Sequence, residues 1–299
     1  MIDQNYFLDY EPANQKIKEL IELNTSFLAG KMGAVEMGLM KSFFYNNQFT
    51  ESDKWPASNN AGISPPSDYI MDYFVKVYTE SLKEVDLLAI WDRNNSQEIE
   101  ISKKLSPNSK FINGLVALEP YYHENPWSEA LRGKKVLVVH PFEDSIKEQY
   151  LKRNLLFKDS RILPEFELIT IKAYQTHGGG DTTLSWDKCY EDMAEKIEGQ
   201  KFDVALVGAG AYGLPLCRVA KLMGKSVVHV GGALQILFGI KGKRWENNLR
   251  QLSPDEEQLD HRILAHKIGI NVFYNENWKR PNDTERPISF SNVEGACYW

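Results

Sequence analysis

Cysteine is scarce in this 299-residue chain: Cys189, Cys217 and Cys297 stand far apart, with no C-x-x-C pairing. That spacing argues against a disulfide framework and against a cysteine-based zinc cluster, and it fits a reducing compartment. Long apolar runs are missing too, none approaching the ~18 residues of a membrane span. The first fifteen residues, MIDQNYFLDYEPANQ, have neither a basic start nor an apolar stretch, so the expectation is a cytoplasmic protein with no membrane span. Excess positive charge is absent as well. A formal net charge of −6 disfavours broad binding to a phosphate backbone and removes nucleic acid as the expected partner. No G-x-S-x-G elbow and no Cys/His pair in a recognisable setting occur, which removes the common covalent hydrolases. Gly242-Lys243 is followed by Arg244 rather than Ser or Thr, so the Walker pattern fails.

What is present is ordinary globular material, 42% hydrophobic and 25% charged, enough for a substantial core. Residues 203–207 form a short apolar run, and Gly208, Gly210 and Gly213 follow as G-x-G-x-x-G with Tyr212 among them. This reads as a buried parallel strand, a turn and a helix start. Such a turn lets backbone N–H groups approach an anion at a helix N-terminus, or is a tight connection with no ligand. The acidic residue that holds ribose hydroxyls in dinucleotide-binding units is missing, because residues 226–230 end in His229 and Val230 before Gly231 and Gly232. Lys241, Lys243 and Arg244 then alternate with glycine and close on Trp245. They form either a phosphate-surrounding loop with a ring to stack or a solvated basic loop.

Apolar spacing predicts helices over 15–23, 36–45, 67–84, 145–157 and 185–197, and strands over 26–32, 85–91, 111–118, 135–140 and 166–174. Residues 51–66 read as a polar loop stopped by Ser64-Pro65-Pro66. Strands alternating with helices imply an α/β fold, Rossmann-like, with a mostly parallel sheet and helices on both faces. A single domain over 1–299 with an irregular tail from about 269 is the expected organisation. Ligands of such sheets gather at the carboxyl ends of the strands. Clusters stand at each expected end: Gly33 and Glu36, Asp92, His140, and Thr176-His177-Gly178-Gly179-Gly180-Asp181. Glu36 and Asp92 are oxygen ligands suited to a hard cation that bridges a diphosphate. Asp92 is also a candidate helix cap, or a general base where the acceptor is a hydroxyl. His140, before Pro141, fits a strand end and either donates to a phosphate or is a satisfied structural histidine. His177 sits in a glycine loop able to close over a ligand, or in a plain surface turn. Glu119, Tyr121, Tyr122, His123 and Trp127 suit a sugar-binding surface, but core packing is the simpler reading.

Gly33-Ala34-Val35-Glu36, the 203–213 strand and turn, and GGALQILFGIKGKRW at 231–245 resemble bacterial proteins related to the GT-D fold glycosyltransferases found among surface-polysaccharide genes. Asn275-Glu276-Asn277-Trp278 and Glu294-Gly295-Ala296-Cys297-Tyr298-Trp299 resemble the same group's C-terminal signature. In that family a D-x-E motif after the first strand lies at the nucleotide-sugar diphosphate, its Glu on a divalent metal. Glu36 matches the Glu, and Ala34 stands where the Asp would be. The resemblance implies a glycosyltransferase with a UDP-sugar donor, a glycan or lipid-linked acceptor, and Mn²⁺ or Mg²⁺ held by Glu36. Two other readings stay open: an NAD-dependent oxidoreductase, from the glycine pattern, and a non-catalytic nucleotide- or glycan-binding protein with a degenerate metal motif.

Overall fold

Alternation along eight short strands decides the architecture. In a computed structural model that describes residues 7–92, 94–177, 183–246, 252–293 and 295–299, they are β1 (Phe7–Leu8), β2 (Phe27–Lys31), β3 (Leu87–Ile90), β4 (Lys110–Asn113), β5 (Lys135–His140), β6 (Glu167–Lys172), β7 (Val204–Val207) and β8 (Ser226–His229). They form one sheet in the order β1-β4-β3-β2-β8-β7-β5-β6, and every pairing is parallel. Because side chains alternate across a strand, Leu28, Leu88, Leu137, Val139, Ala205 and Val227 enter one core. Their neighbours Phe27, Ala29, Leu87, Val136, Val138, Leu206 and Val228 enter the other. Strands buried on both faces explain why these segments read as continuous apolar runs.

Helices α1 (Tyr10–Glu22), α2 (Ala34–Asn46), α3 (Glu51–Asn59), α4 (Asp68–Lys83), α5 (Ser96–Leu105), α6 (Glu143–Tyr150), α7 (Trp186–Glu198), α8 (Gly213–Leu222), α9 (Leu234–Leu237), α10 (Pro254–Glu257) and α11 (His261–Ile268) connect the strands. The first core takes apolar residues from α2, α4, α7 and α8. The second takes them from α1, α6, α9 and α11, together with Phe273, Trp278, Val293 and Trp299 of the tail. The fold is therefore the Rossmann-like α/β sheet expected, covered on both faces.

Two expectations change. Residues 51–66 are not all loop: α3 begins there because Thr50 and Asp53 form a capping box, with Thr50 N–H donating to Asp53 Oδ2 at 2.8 Å. The strand expected over 111–118 stops at Asn113, and Val116–Leu118 is a 3₁₀ turn.

The connections position the site. The segments leaving β2 and β7 run to α2 and α8 on the first face, whereas those leaving β8 and β5 run to α9 and α6 on the second. Neighbouring strands β2, β8, β7 and β5 thus send their chains alternately to opposite faces. Their carboxyl ends part to leave a crevice at this topological switch.

Candidate functional site at the carboxyl edge

Three of the four central strands, β2, β8 and β5, deliver a polar side chain into that crevice, and β7 contributes the backbone of Gly208. β8 ends in His229, which is 4% exposed. Its Nδ1 lies 3.1 Å from the carbonyl oxygen of Lys31 at the end of β2. A carbonyl only accepts, so Nδ1 carries the proton. Burial, reinforced by the Lys31 charge, pushes the imidazole pKa down to about 3 and keeps the ring neutral. The backbone makes room for the ring. A Cβ at Gly213 would fall 2.2 Å from His229 Nε2, and one at Gly30 would fall 3.0 Å from His229 Cβ.

β5 ends in His140, 3% exposed, whose pKa burial also lowers to about 3. Its Nδ1 accepts from the Phe142 amide at 3.0 Å. The proton of the neutral ring is therefore on Nε2, which makes His140 a hydrogen-bond donor. A Cβ at Gly208 would lie 2.5 Å from the Gly231 carbonyl and 2.9 Å from His140 Cδ2. The glycine pattern thus has a packing cause at Gly208 and Gly213, while Gly210 has φ +53° and only Ala61 O, at 3.8 Å, near its absent Cβ.

A cleft of about 940 Å³, open mouth included, lies over these strand ends. Gly33, Glu36, His140, His177, Gly208, Gly210, Gly231, Gly232 and Arg244, all expected at the site, line it together. Segments from both ends of the sequence meet there, as the rim of strand ends implied. Lys31 lines the cleft as well. Its ammonium makes no hydrogen bond or ion pair with the described residues, and its marked contact is with the Trp91 ring, 5.1 Å from the centroid. Burial lowers the Lys31 pKa, the Glu36 and Glu119 carboxylates oppose that shift, and Arg244 adds to it. Arg244 lines the cleft too, its guanidinium 4.8 Å from the Tyr298 ring and its Nη1 3.2 Å from the Tyr298 hydroxyl. Glu36 is 8% exposed and turned back over the start of α2: a Cβ at Gly33 would meet its Oε2 at 2.0 Å.

Other expected residues lie off the cleft wall. Asp92 is exposed and its Oδ1 accepts from the Asn94 amide at 2.8 Å, so it shapes its own loop. Tyr212 is core: its ring stacks on Trp186 at 5.2 Å and 4°, and its hydroxyl pairs with Thr176 Oγ1 at 2.8 Å. Gly213 is filled by His229. The basic loop divides. Lys241 sits over the Tyr274 ring at 5.1 Å and Lys243 donates to the Gly295 carbonyl at 3.1 Å, leaving Arg244 to face the cleft. Gly178 to Asp181 lie outside the described residues. Tyr121, His123 and Trp127 are buried in the second layer, where burial raises the Glu119 pKa to about 6.

Sequence reading missed Lys31, Trp91, Gln175, Gln235, Tyr298 and Trp299, which all line the cleft. The rule that collects ligands at strand ends would have found Lys31, a cation closing an apolar strand two residues before the Gly33 turn. Gln235 carried no signal, since its Nε2 is held by the carbonyls of Ile240 and Tyr298, contacts that exist only once the chain is folded.

A divalent cation fits the described residues poorly. Among them no group of three His, Cys, Asp or Glu side chains is placed to hold a metal. Glu36 is the one acidic side chain among the residues lining the cleft, and it shares that wall with Lys31.

The fold and cleft define a doubly wound α/β protein with a polar cleft at its carboxyl edge. No protein-family profile matches the chain, and no curated protein is significantly similar to it. A solved structure described as the selenomethionine-substituted domain of unknown function 1792 is similar over 92% of this chain and 95% of its own, at 12% identity and a TM-score of 0.45.

Proposed function

We propose that the cleft receives the diphosphate of a nucleotide sugar and that the protein is a glycosyltransferase, with a UDP-sugar as donor and a glycan or lipid-linked acceptor of surface-polysaccharide synthesis. The observation that carries this reading is the Lys31 ammonium, which lines a glycine-walled cleft at the switch point with no hydrogen-bond partner among the described residues. A half-buried cation left this way costs free energy that an anionic ligand returns. Arg244 supplies a second positive charge and His140 Nε2–H a neutral donor. The acceptor oxygen attacks the anomeric carbon, the bond from that carbon to the phosphate oxygen breaks, and Lys31 and Arg244 stabilise the departing diphosphate. With Asp92 off the wall, Glu36 is the described carboxylate on the cleft wall that can take the acceptor proton. The oxidoreductase reading gains nothing, because a neutral histidine bonded to Lys31 O occupies the place of the ribose-binding acid.

The test is a thermal-shift screen with UDP, GDP, CMP and NAD, followed by donor turnover. A ligand at 100 times its Kd stabilises the fold by about 2.7 kcal/mol, so UDP is expected to raise Tm clearly and NAD to leave it unchanged. Arg244→Ala is expected to lower turnover roughly 100-fold, the scale of one lost transition-state donor, while Lys243→Ala leaves it unchanged. Silence toward every nucleotide rejects the proposal, and binding without turnover makes the protein a nucleotide-sugar binder.

A further inference from the structure

We propose that Lys31 takes the part of the divalent cation in this cleft, so that a nucleoside diphosphate binds without metal. The inference rests on the nucleotide-sugar reading and departs from what the sequence resemblance implies.

Three observations converge on it. The segment after β2 offers Glu36 but has Ala34 where the resembled motif has its Asp, so a hard cation would meet one carboxylate there and not two. The remaining carboxylate is folded back on the first turn of its own helix, against Gly33, near the positive end of the α2 dipole. The nearby positive charge is already present. Lys31 closes β2, its Cε packs against Gly231 so closely that a Cβ there would fall 2.9 Å away, and the Trp91 ring flanks its ammonium. The Trp91 indole is itself fixed, donating to the Met32 carbonyl at 2.7 Å, and its amide donates to Glu98 Oε1 at 2.9 Å. A divalent ion entering this wall would meet a fixed cation on one side and a carboxylate already engaged on the other. A diphosphate would instead meet three N–H donors with no partner among the described residues, on a single positive charge, with Arg244 lining the same cleft.

Geometry also separates this inference from a structural role for Lys31. Among the described residues the ammonium makes no hydrogen bond or ion pair; the Trp91 ring and packing on Gly231 hold the side chain and leave its N–H donors for a ligand.

The experiment is calorimetric titration of the full chain with UDP and with inorganic diphosphate, each in EDTA and in about 1 mM Mn²⁺. The expected result is a Kd for each ligand that changes less than about threefold between the two conditions. Lys31→Met should weaken both ligands about thirtyfold or more, with no recovery on adding Mn²⁺, and should melt no lower than the parent, since an unpaired cation is replaced by an apolar chain of similar length. Lys31→Arg, which keeps the charge, should retain most of the affinity and serves as the variant of record if the Met form fails to fold. Binding of UDP only in Mn²⁺, or full affinity of Lys31→Met, overturns the inference while leaving the nucleotide-sugar reading standing. Lys31-dependent binding of diphosphate without any binding of UDP does the reverse: it keeps the metal-free anion site and rejects the nucleotide reading. No binding of either ligand in either condition rejects both.

Discussion

Gly38 and Gly213 show how little a residue's name says before its neighbours are known. Both lie in helices. A Cβ at Gly38 meets nothing within 4 Å, while one at Gly213 falls 2.2 Å from a buried imidazole nitrogen. Gly38→Ala is therefore expected to stabilise the protein by about 0.5–1 kcal/mol, the helix-propensity difference. Gly213→Ala should destabilise it by about 1–3 kcal/mol, since His229 is tied to Lys31 O and must be displaced. Urea denaturation of the two variants checks the signs, and equal effects would contradict the packing account. The same contrast explains what was legible at this scale. The pattern Gly208-Gly210-Gly213 was plain in the sequence, yet its reason was not. Two of its glycines are there to admit His140 and His229, which come from strands elsewhere in the chain, and no local pattern carries that information.

Element boundaries were legible where the pattern is local and lost where a distant residue sets them. β5 matches its expected span, 135–140, because a strand buried on both faces is a continuous apolar run. α5 went unseen. Its buried side reduces to Ile99, Ile101, Glu98 and Ser102, too few apolar positions to show a period, and its start depends on the Asn95 side chain accepting from the Glu98 amide at 3.1 Å. α6 shows the distant case. Its N-cap, Phe142, has no side-chain acceptor, and its expected start at 145 is two residues late. The missing cap comes from the tail: Glu285, 1% exposed, accepts from the Asp144 amide at 2.7 Å, from the Ser145 amide and from the Ser145 hydroxyl. One carboxylate thus satisfies the open end of a helix and pins the tail across the second face. Glu285→Ala should cost about 2–3 kcal/mol, the range for charged hydrogen bonds left unmade in a buried place. It should also speed hydrogen exchange at Asp144 and Ser145 ahead of the β5 amides. Exchange that rises uniformly across the domain would show the tail to be merely packed, not capping.

At the scale of the whole molecule, the sheet's alternating connections bring four strand ends to one crevice and bury two histidines there. The rim of strand ends could be read from the sequence, because the βα alternation makes the strands parallel and so brings their carboxyl ends to one edge. Which side chains face one another could not, because β2 and β8 become neighbours only in the finished sheet. That burial has a thermodynamic consequence. His140 and His229 have folded pKa values near 3 against an ordinary 6.5. Between those values the unfolded chain binds protons that the folded chain does not, so stability rises with pH and is lost as pH falls from about 6.5 toward 3. Glu119 works the other way. Its folded pKa of about 6, raised by burial from 4.5, means the folded chain holds the extra proton between those values and gains stability as pH falls. Two histidines against one carboxyl leave a net loss on acidification. The expected outcome is a urea midpoint that drops steadily from pH 7 to pH 4.5, with a shallower drop in His229→Asn, whose amide can still donate to the Lys31 carbonyl while shedding the proton linkage. A midpoint independent of pH over that range would mean that the imidazoles take up protons in the fold as readily as in the unfolded chain, and the crevice would then gain positive charge on acidification beyond that of Lys31 and Arg244.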